Sequence, residues 1–273
     1  MAGKIYRLHY RGQLKEDLSS EGLEDAVHKC MENVRRAQAD GQVLTAALYR
    51  HERMLFFYYE ALGEPLAVVE PSSLAGNVVD AGEAALTGHT APGRARASSS
   101  QGMLEESGED VQTTCARLEE LLAPLSPFLQ AWPGQKGDRL WAHMYHIYYH
   151  SVPESPEQWK RAAVPGKRRG RIAFLRDDKL FSYIYFHKAI VDEGLMAGDK
   201  YQSIALHENI LFSYFEEPKT FVNVLGDDSR ESRVINDWLA VDPESHFIHM
   251  PQGRGENFMF LPALFAMGVE DLR

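Results

Sequence analysis

The chain has 273 residues, 44% of them hydrophobic, enough for one large domain or two small ones with a real core. A formal net charge of −10 argues against a nucleic-acid groove as its main business, since phosphate binding wants clustered Lys and Arg. Cys30 and Cys115 lack C-x-x-C spacing, which argues against a disulfide framework or a zinc site. The amino terminus carries no apolar signal core and no apolar run reaches membrane-spanning length, so a soluble, cytoplasmic protein is expected.

"KIYRLHYRG" at 4–12 alternates and reads as a strand. Leu23, Val27, Cys30, Met31, Val34 and Ala37 then recur at helical spacing, with Ser19 and Ser20 available as caps and Gly41 after them. "VLTAALYR" and "RMLFFYYEA", joined through His51 and Glu52, read as a hairpin. Residues 68–110 are rich in Gly, Ala, Ser and charge, cannot bury much surface, and read as a mobile insertion. Structure resumes with a helical pattern at Cys115, Leu118, Leu121, Leu122 and Leu125 until Pro124 and Pro127 interfere. "RLWAHMYHIYYHS" at 139–151 follows as a strand of aromatics and histidines.

Residues 151–168 read as a linker with one short helical turn, flanked by the basic run "KRRGR" at 167–171. After it the pattern returns. "GRIAFLR" echoes the opening strand, and "YQSIALHENILFSYFEEP" echoes "LTAALYRHERMLFFYYEALGEP" in both its hairpin and its acidic-proline exit. "SRVINDWLAV" supplies a second short helix with Ser229 as its cap, and "ENFMFLPALF" a closing strand. The chain is therefore an internal duplication, with a first repeat over 1–150 and a second over 169–273. Each is a ferredoxin-like β-α-β-β-α-β unit of the α+β class with an antiparallel sheet. The hairpins are apolar on both faces (Leu55, Phe57, Tyr59 against Met54, Phe56, Tyr58), so the two sheets are expected to pack together as a barrel inside one chain.

Between the opening strand and the hairpin of the second repeat lies "LFSYIYFHKAI" at 180–190. As a helix, matching the first repeat, it sets Tyr183 and His187 one turn apart with Cβ atoms about 5–6 Å apart. As the second arm of a hairpin turning at Asp177 and Asp178, which its β-branched and aromatic content favours, it separates them by about 13 Å. Topology favours the helix. A histidine there is a natural proton shuttle near neutral pH, with the tyrosine as hydrogen-bond donor and wall.

"YIYFHKAI" followed by "YQSIALHENILFSYFEEP" resembles the L-rhamnose mutarotase family of small α+β barrel proteins, and "APLSPFLQAWPGQKGDRLWAHMYHIYYH" is similar to that family's closing passage. The resemblance implies a tandem fusion, an intrachain version of the family's dimer, present as a monomer or a homodimer. It implies His187 as proton donor, Tyr183 as its sugar-binding partner, Tyr201 or the adjacent Gln202 at the start of the second strand, and a tryptophan pair in the second helix. Here only Trp238 stands near that pair, with Val234 and Ile235 at the aligned positions. In the first repeat Ala26 and Gly22 occupy the His and Tyr positions, so one site is degenerate. The implied activity is interconversion of monosaccharide anomers by general acid–base catalysis, with no cofactor and no metal.

His143, His146 and His150 do not suit one metal ion on a straight strand, where His146 and His150 lie about 13 Å apart. His246 and His249 fall on opposite strand faces, and no phosphate-loop motif is present. Two alternatives stand beside the isomerase. One is a non-catalytic barrel that binds a small ligand or a protein partner through the 68–110 insertion. The other, by fold analogy alone, is a haem-binding or monooxygenase-type barrel.

Overall fold

Strands apolar on both faces need cover on both sides, and the chain supplies it with helices outside and a second sheet inside. The computed structural model describes residues 4–16, 21–63, 118–132, 139–194, 196–219, 225–226, 231–253 and 255–272. The expected 68–110 insertion, Cys115 and the expected caps Ser19, Ser20 and Ser229 lie outside them.

The first repeat runs β1 (Lys4–Gln13), α1 (Leu23–Ala39), β2 (Val43–His51) and β3 (Met54–Gly63). It resumes with α2 (Leu118–Leu122), which the prolines convert to a 3₁₀ turn over Ala123–Phe128, and ends with β4 (Trp141–His143) and β5 (Tyr145–Tyr149). A one-turn helix, α3 (Pro156–Trp159), capped by the Ser155 side chain, sits in the connection. The second repeat runs β6 (Lys167–Leu175), α4 (Leu180–Glu193), β7 (Met196–Ala197), β8 (Ser203–His207) and β9 (Ile210–Glu217). It finishes with β10 (Leu225–Gly226), α5 (Arg233–Ala240), β11 (Phe247–Ile248), β12 (Met259–Phe260) and β13 (Ala263–Gly268). The fold is α+β, two ferredoxin-like repeats whose antiparallel sheets pack face to face as a barrel.

Three expectations are corrected in detail. The α5 cap is Ser232, whose hydroxyl accepts from the Ile235 N–H at 3.0 Å. "KRRGR" follows the connection as expected but is itself the first half of β6, which opens at Lys167 and not at Gly170, with Gly170 and Ile172 facing the barrel interior. And 139–151 is not one strand. β4 pairs with β1 in the first sheet, the chain crosses at Met144, and β5 pairs with β8 in the second sheet. The second repeat does the same in reverse, since β12 pairs with β6 and β13 with β2. The sheet orders are therefore β13-β2-β3-β1-β4 and β11-β6-β9-β8-β5, each edged by a strand from the other repeat.

The duplication is legible residue by residue inside the barrel. "LFFYYE" at 55–60 superimposes in register on "LFSYFE" at 211–216, because Arg7 stands opposite Glu60 as Arg168 stands opposite Glu216. Phe56 meets its counterpart Phe212 at 5.2 Å, and Tyr58 stacks on its counterpart Tyr214 at 3.8 Å. The Tyr58 hydroxyl donates to Glu60 at 2.6 Å and that of Tyr214 to Glu216 at 2.8 Å. Both carboxylates converge on one guanidinium, Arg161 from the connection, which reaches Glu60 at 2.6 Å and Glu216 at 2.7 Å with all three side chains nearly inaccessible. Burial alone would push the Glu60 carboxyl up; Arg161, paired and hydrogen-bonded to it, holds it below the usual carboxylate value.

The halves differ where His9 of β1 has Gly170 of β6 as its counterpart. Tyr49 fills the space over Gly170, and a Cβ there would come within 2.6 Å of the ring. Gly170→Ala should therefore destabilise by about 1–3 kcal/mol through overpacking. In a Tyr49→Ala background, already destabilised by loss of the buried ring, the same Gly170→Ala change should cost less in denaturant melts, because the clash is gone. Tyr49→Phe should be neutral or better, because the Tyr49 hydroxyl is buried with no hydrogen-bond partner.

Candidate functional site

α4 is a helix, not the arm of a hairpin, and ends in the left-handed Gly194 at φ 66°. It covers the outer face of the second sheet with Tyr183, His187 and Ile190 turned inward. The i, i+4 spacing stacks the Tyr183 and His187 rings at 3.8 Å with 20° between their planes. Trp238 of α5 packs edge-on against both, at 5.7 Å from Tyr183 and 5.1 Å from His187. Tyr148 of β5 closes on His187 at 6.1 Å, and Phe247 on Tyr183 at 5.7 Å.

The imidazole's proton is fixed by its partner. The His187 Nδ1–H donates to the Tyr183 carbonyl oxygen at 2.9 Å, and a carbonyl can only accept. Nε2 is therefore the unprotonated nitrogen of the neutral ring. Burial holds His187 down to about 4; the bond to Tyr183 works against this and nearby His246 works with it. His246, fully buried, accepts from the Ser182 hydroxyl through Nε2 at 2.9 Å and donates from Nδ1 to the Asp242 carbonyl at 3.2 Å. Burial also pushes the Tyr183 phenol well above its ordinary value, with Arg171 pulling the other way, and pushes Tyr148 up to about 12.

Arg171 escaped the sequence reading. It stands opposite Ser213 on the outer face of the second sheet, where the first sheet has Tyr10 opposite Phe57. Aligning the outward rows of the two repeats exposes the exchange of two aromatics for an arginine and a serine. In the first repeat the same layer is sealed by Tyr10, Ala26, Cys30 and Phe57. The polar layer belongs to the second repeat.

Of the four residues expected to form the site, Tyr183, His187 and Trp238 come together and Tyr201 does not. Tyr201 precedes β8, and the connection between repeats claims it. Its ring meets Trp159 at 5.1 Å, Arg161 lies over it at 3.9 Å, and its hydroxyl donates to the Lys160 carbonyl at 3.1 Å. Its neighbour Gln202 is buried at the strand entrance.

The other histidines scatter because the chain changes sheets at Met144. His143 packs on Tyr10 at 5.3 Å, whereas His146 packs on His9 at 5.1 Å. Among the described residues no three His, Cys, Asp or Glu side chains are placed to hold one metal ion. His9 Nε2 meets Ser203 Oγ at 3.0 Å in the barrel interior. A cleft of about 200 Å³ runs along β1 and β5, bordered by Lys4, Arg7, His146, Tyr149, Ser151 and Lys188.

The histidines make an acid-stability prediction. Burial is the first cause that lowers His9, His146 and His187, the last to about 4. Unfolded imidazoles protonate near 6.5, so between that pH and about 4 the unfolded chain binds more protons than the folded one. Stability is then complete above about pH 6.5 and is lost on acidification, with ~3 kcal/mol of it from His187 alone. Denaturant midpoints measured from pH 7.5 to 4.5 should fall with a slope of at least two protons near pH 5. A flat profile would contradict the assignment.

No family model matches the chain, and no curated protein matches it in sequence. Two solved structures are similar along nearly the whole length. One, named a "putative monooxygenase", comes from Fusobacterium nucleatum and is 10% identical, covering 98% of this chain and 96% of its own, with a TM-score of 0.37. The other, from Lactobacillus acidophilus and named likewise, is 5% identical, covers 96% of each chain and has a TM-score of 0.38. Neither likeness bears on the chemistry of the cluster under α4.

Proposed function

We propose that the second repeat is a sugar site of the mutarotase type, related to the L-rhamnose mutarotases, in which Tyr183 and His187 exchange protons with a monosaccharide. What supports the reading above all is the one-turn stack of a phenol on an imidazole whose tautomer is set by the helix's own carbonyl. In the neutral ring Nε2 is an acceptor, so His187 takes the proton of the anomeric hydroxyl, whereas the resemblance had made it the donor. Tyr183, whose phenol stays protonated, gives its proton to the ring oxygen as the C1–O bond breaks. The Arg171 guanidinium lies within electrostatic reach of the phenolate that forms.

The open chain turns about C1–C2 and recloses. The new hydroxyl returns its proton to Tyr183, and His187 returns the other to O1. Protons balance with no cofactor. Trp238 offers an apolar wall for the sugar's C–H face.

The test is exchange-spectroscopy NMR on equilibrium mixtures of common aldoses, with and without the protein. Faster anomer exchange for at least one sugar is expected. A panel showing none above the buffer rate would sink the assignment. It would leave the non-catalytic binding barrel standing.

A further inference from the structure

Arg171 is a guanidinium set into an aromatic layer. Among the described residues its hydrogen bond runs from Nε to Ser213 Oγ at 3.4 Å. Phe258 covers one approach, its ring centroid 4.3 Å from the guanidinium carbon, and Phe215 lies at 5.2 Å. Arg161 holds Glu60 and Glu216, Arg168 holds Glu270 and Asp271, and buried Arg7 is held by the Tyr58 hydroxyl and the Ser151 and Tyr201 carbonyls. Arg171 has neither an ion pair nor such a set of acceptors among the described residues. Arg171 is half-buried, and burial lowers its pKa.

The surroundings hold a further cation, Lys219, and the Asp199 carboxylate, which acts on Lys219 and Tyr148. Lys219 stands over the Phe215 ring at 4.9 Å, and burial followed by the repulsion of Arg171 brings it down to about 8. The Tyr148 and Tyr183 hydroxyls lie within electrostatic reach of the guanidinium. Nε is engaged by Ser213, and no hydrogen bond of the two Nη groups is found among the described residues. A guanidinium's Nη fork suits the two oxygens of a carboxylate.

We propose that the site under α4 takes a sugar acid, an aldose carrying a carboxylate, with Arg171 pairing the carboxylate while Tyr183 and His187 address the anomeric end. This rests on reading that cluster as a sugar site and adds the class of sugar. The first repeat, with Tyr10 at the equivalent place, has no such partner to offer.

The experiment is calorimetric titration of the full chain with matched pairs that differ only in CH₂OH against carboxylate, galactose against galacturonate and glucose against glucuronate. At least one acid should bind tenfold or more tightly than its neutral parent. Arg171→Gln should erase the difference, and Arg171→Lys should restore part of it. Should Arg171→Gln fail to fold, the wild-type protein still decides, because salt raised from 50 to 500 mM should weaken the acid and not the parent.

Equal binding of acid and parent, an acid preference that survives Arg171→Gln, or no binding by either member of both pairs overturns the proposal. The two readings fail separately. Anomer exchange without acid preference removes only the sugar acid, and acid preference without anomer exchange removes only the isomerase.

Discussion

Replacing Arg161 by methionine should cost about 3–5 kcal/mol, because it leaves the Glu60 and Glu216 carboxylates buried face to face with no cation between them. For a chain of this size that is a fall of about 10 °C in melting temperature. The signature that separates this from simple loss of packing is its pH dependence. Without Arg161 the folded carboxylates titrate above the unfolded ones, so the folded variant gains protons first as pH falls, and its deficit against wild type should shrink between pH 7.5 and 5.5. Adding Glu60→Gln and Glu216→Gln to Arg161→Met should recover much of the loss, since neutral amides can keep the hydrogen bonds of Tyr58 and Tyr214. A deficit that is constant with pH and indifferent to the two amides would show that the clamp is ordinary surface chemistry.

Replacing His187 by alanine should slow anomer exchange by about 10²–10⁴-fold, the range of one positioned general base. The wild-type profile adds a sharper test. A histidine held down to about 4 stays a base through the neutral range, so exchange should be level from pH 8 to about 5 and fall only as Nε2 is protonated nearer pH 4. An exposed histidine would give its inflection near 6.5. Short assays, run while circular dichroism still reports a folded chain, keep this loss apart from the acid unfolding expected of the other buried histidines. An inflection near 6.5, or full activity in His187→Ala, would remove His187 from the chemistry.

The duplication was readable because both hairpins repeat a pattern that packing on two faces demands, from "RHERMLFFYYE" to "LHENILFSYFEE". Both turns place the same residue, Glu52 and Glu208, at positive φ, 53° and 56°. The helix carrying Tyr183 and His187 was legible from topology against its own propensity, because tertiary packing of an amphipathic face outweighs a few tenths of a kcal/mol per residue. The strand exchange was not legible. Nothing in "WAHMYHIYY" marks Met144 as a crossing, since aromatics suit either sheet equally well.

Arg161 and Tyr201 were illegible for a related reason, as their roles depend on where a connecting segment lies in space. Arg171 was legible in principle. Its charge breaks the row that Tyr10 continues in the first repeat, and only a comparison of facing positions brings that out.

The crossing of each closing strand into the opposite sheet means that neither half is a self-sufficient folding unit. A chain cut in the connection should give two pieces that recover the barrel only by finding each other, whereas the unbroken chain guarantees the partnership at one copy each. Once the partnership is guaranteed by a covalent thread, the halves are released from resembling one another. One is free to become solid framework, sealed by Tyr49 inside and by Tyr10 and Phe57 outside, while its sibling keeps ionisable groups that a symmetric pair would have to carry twice.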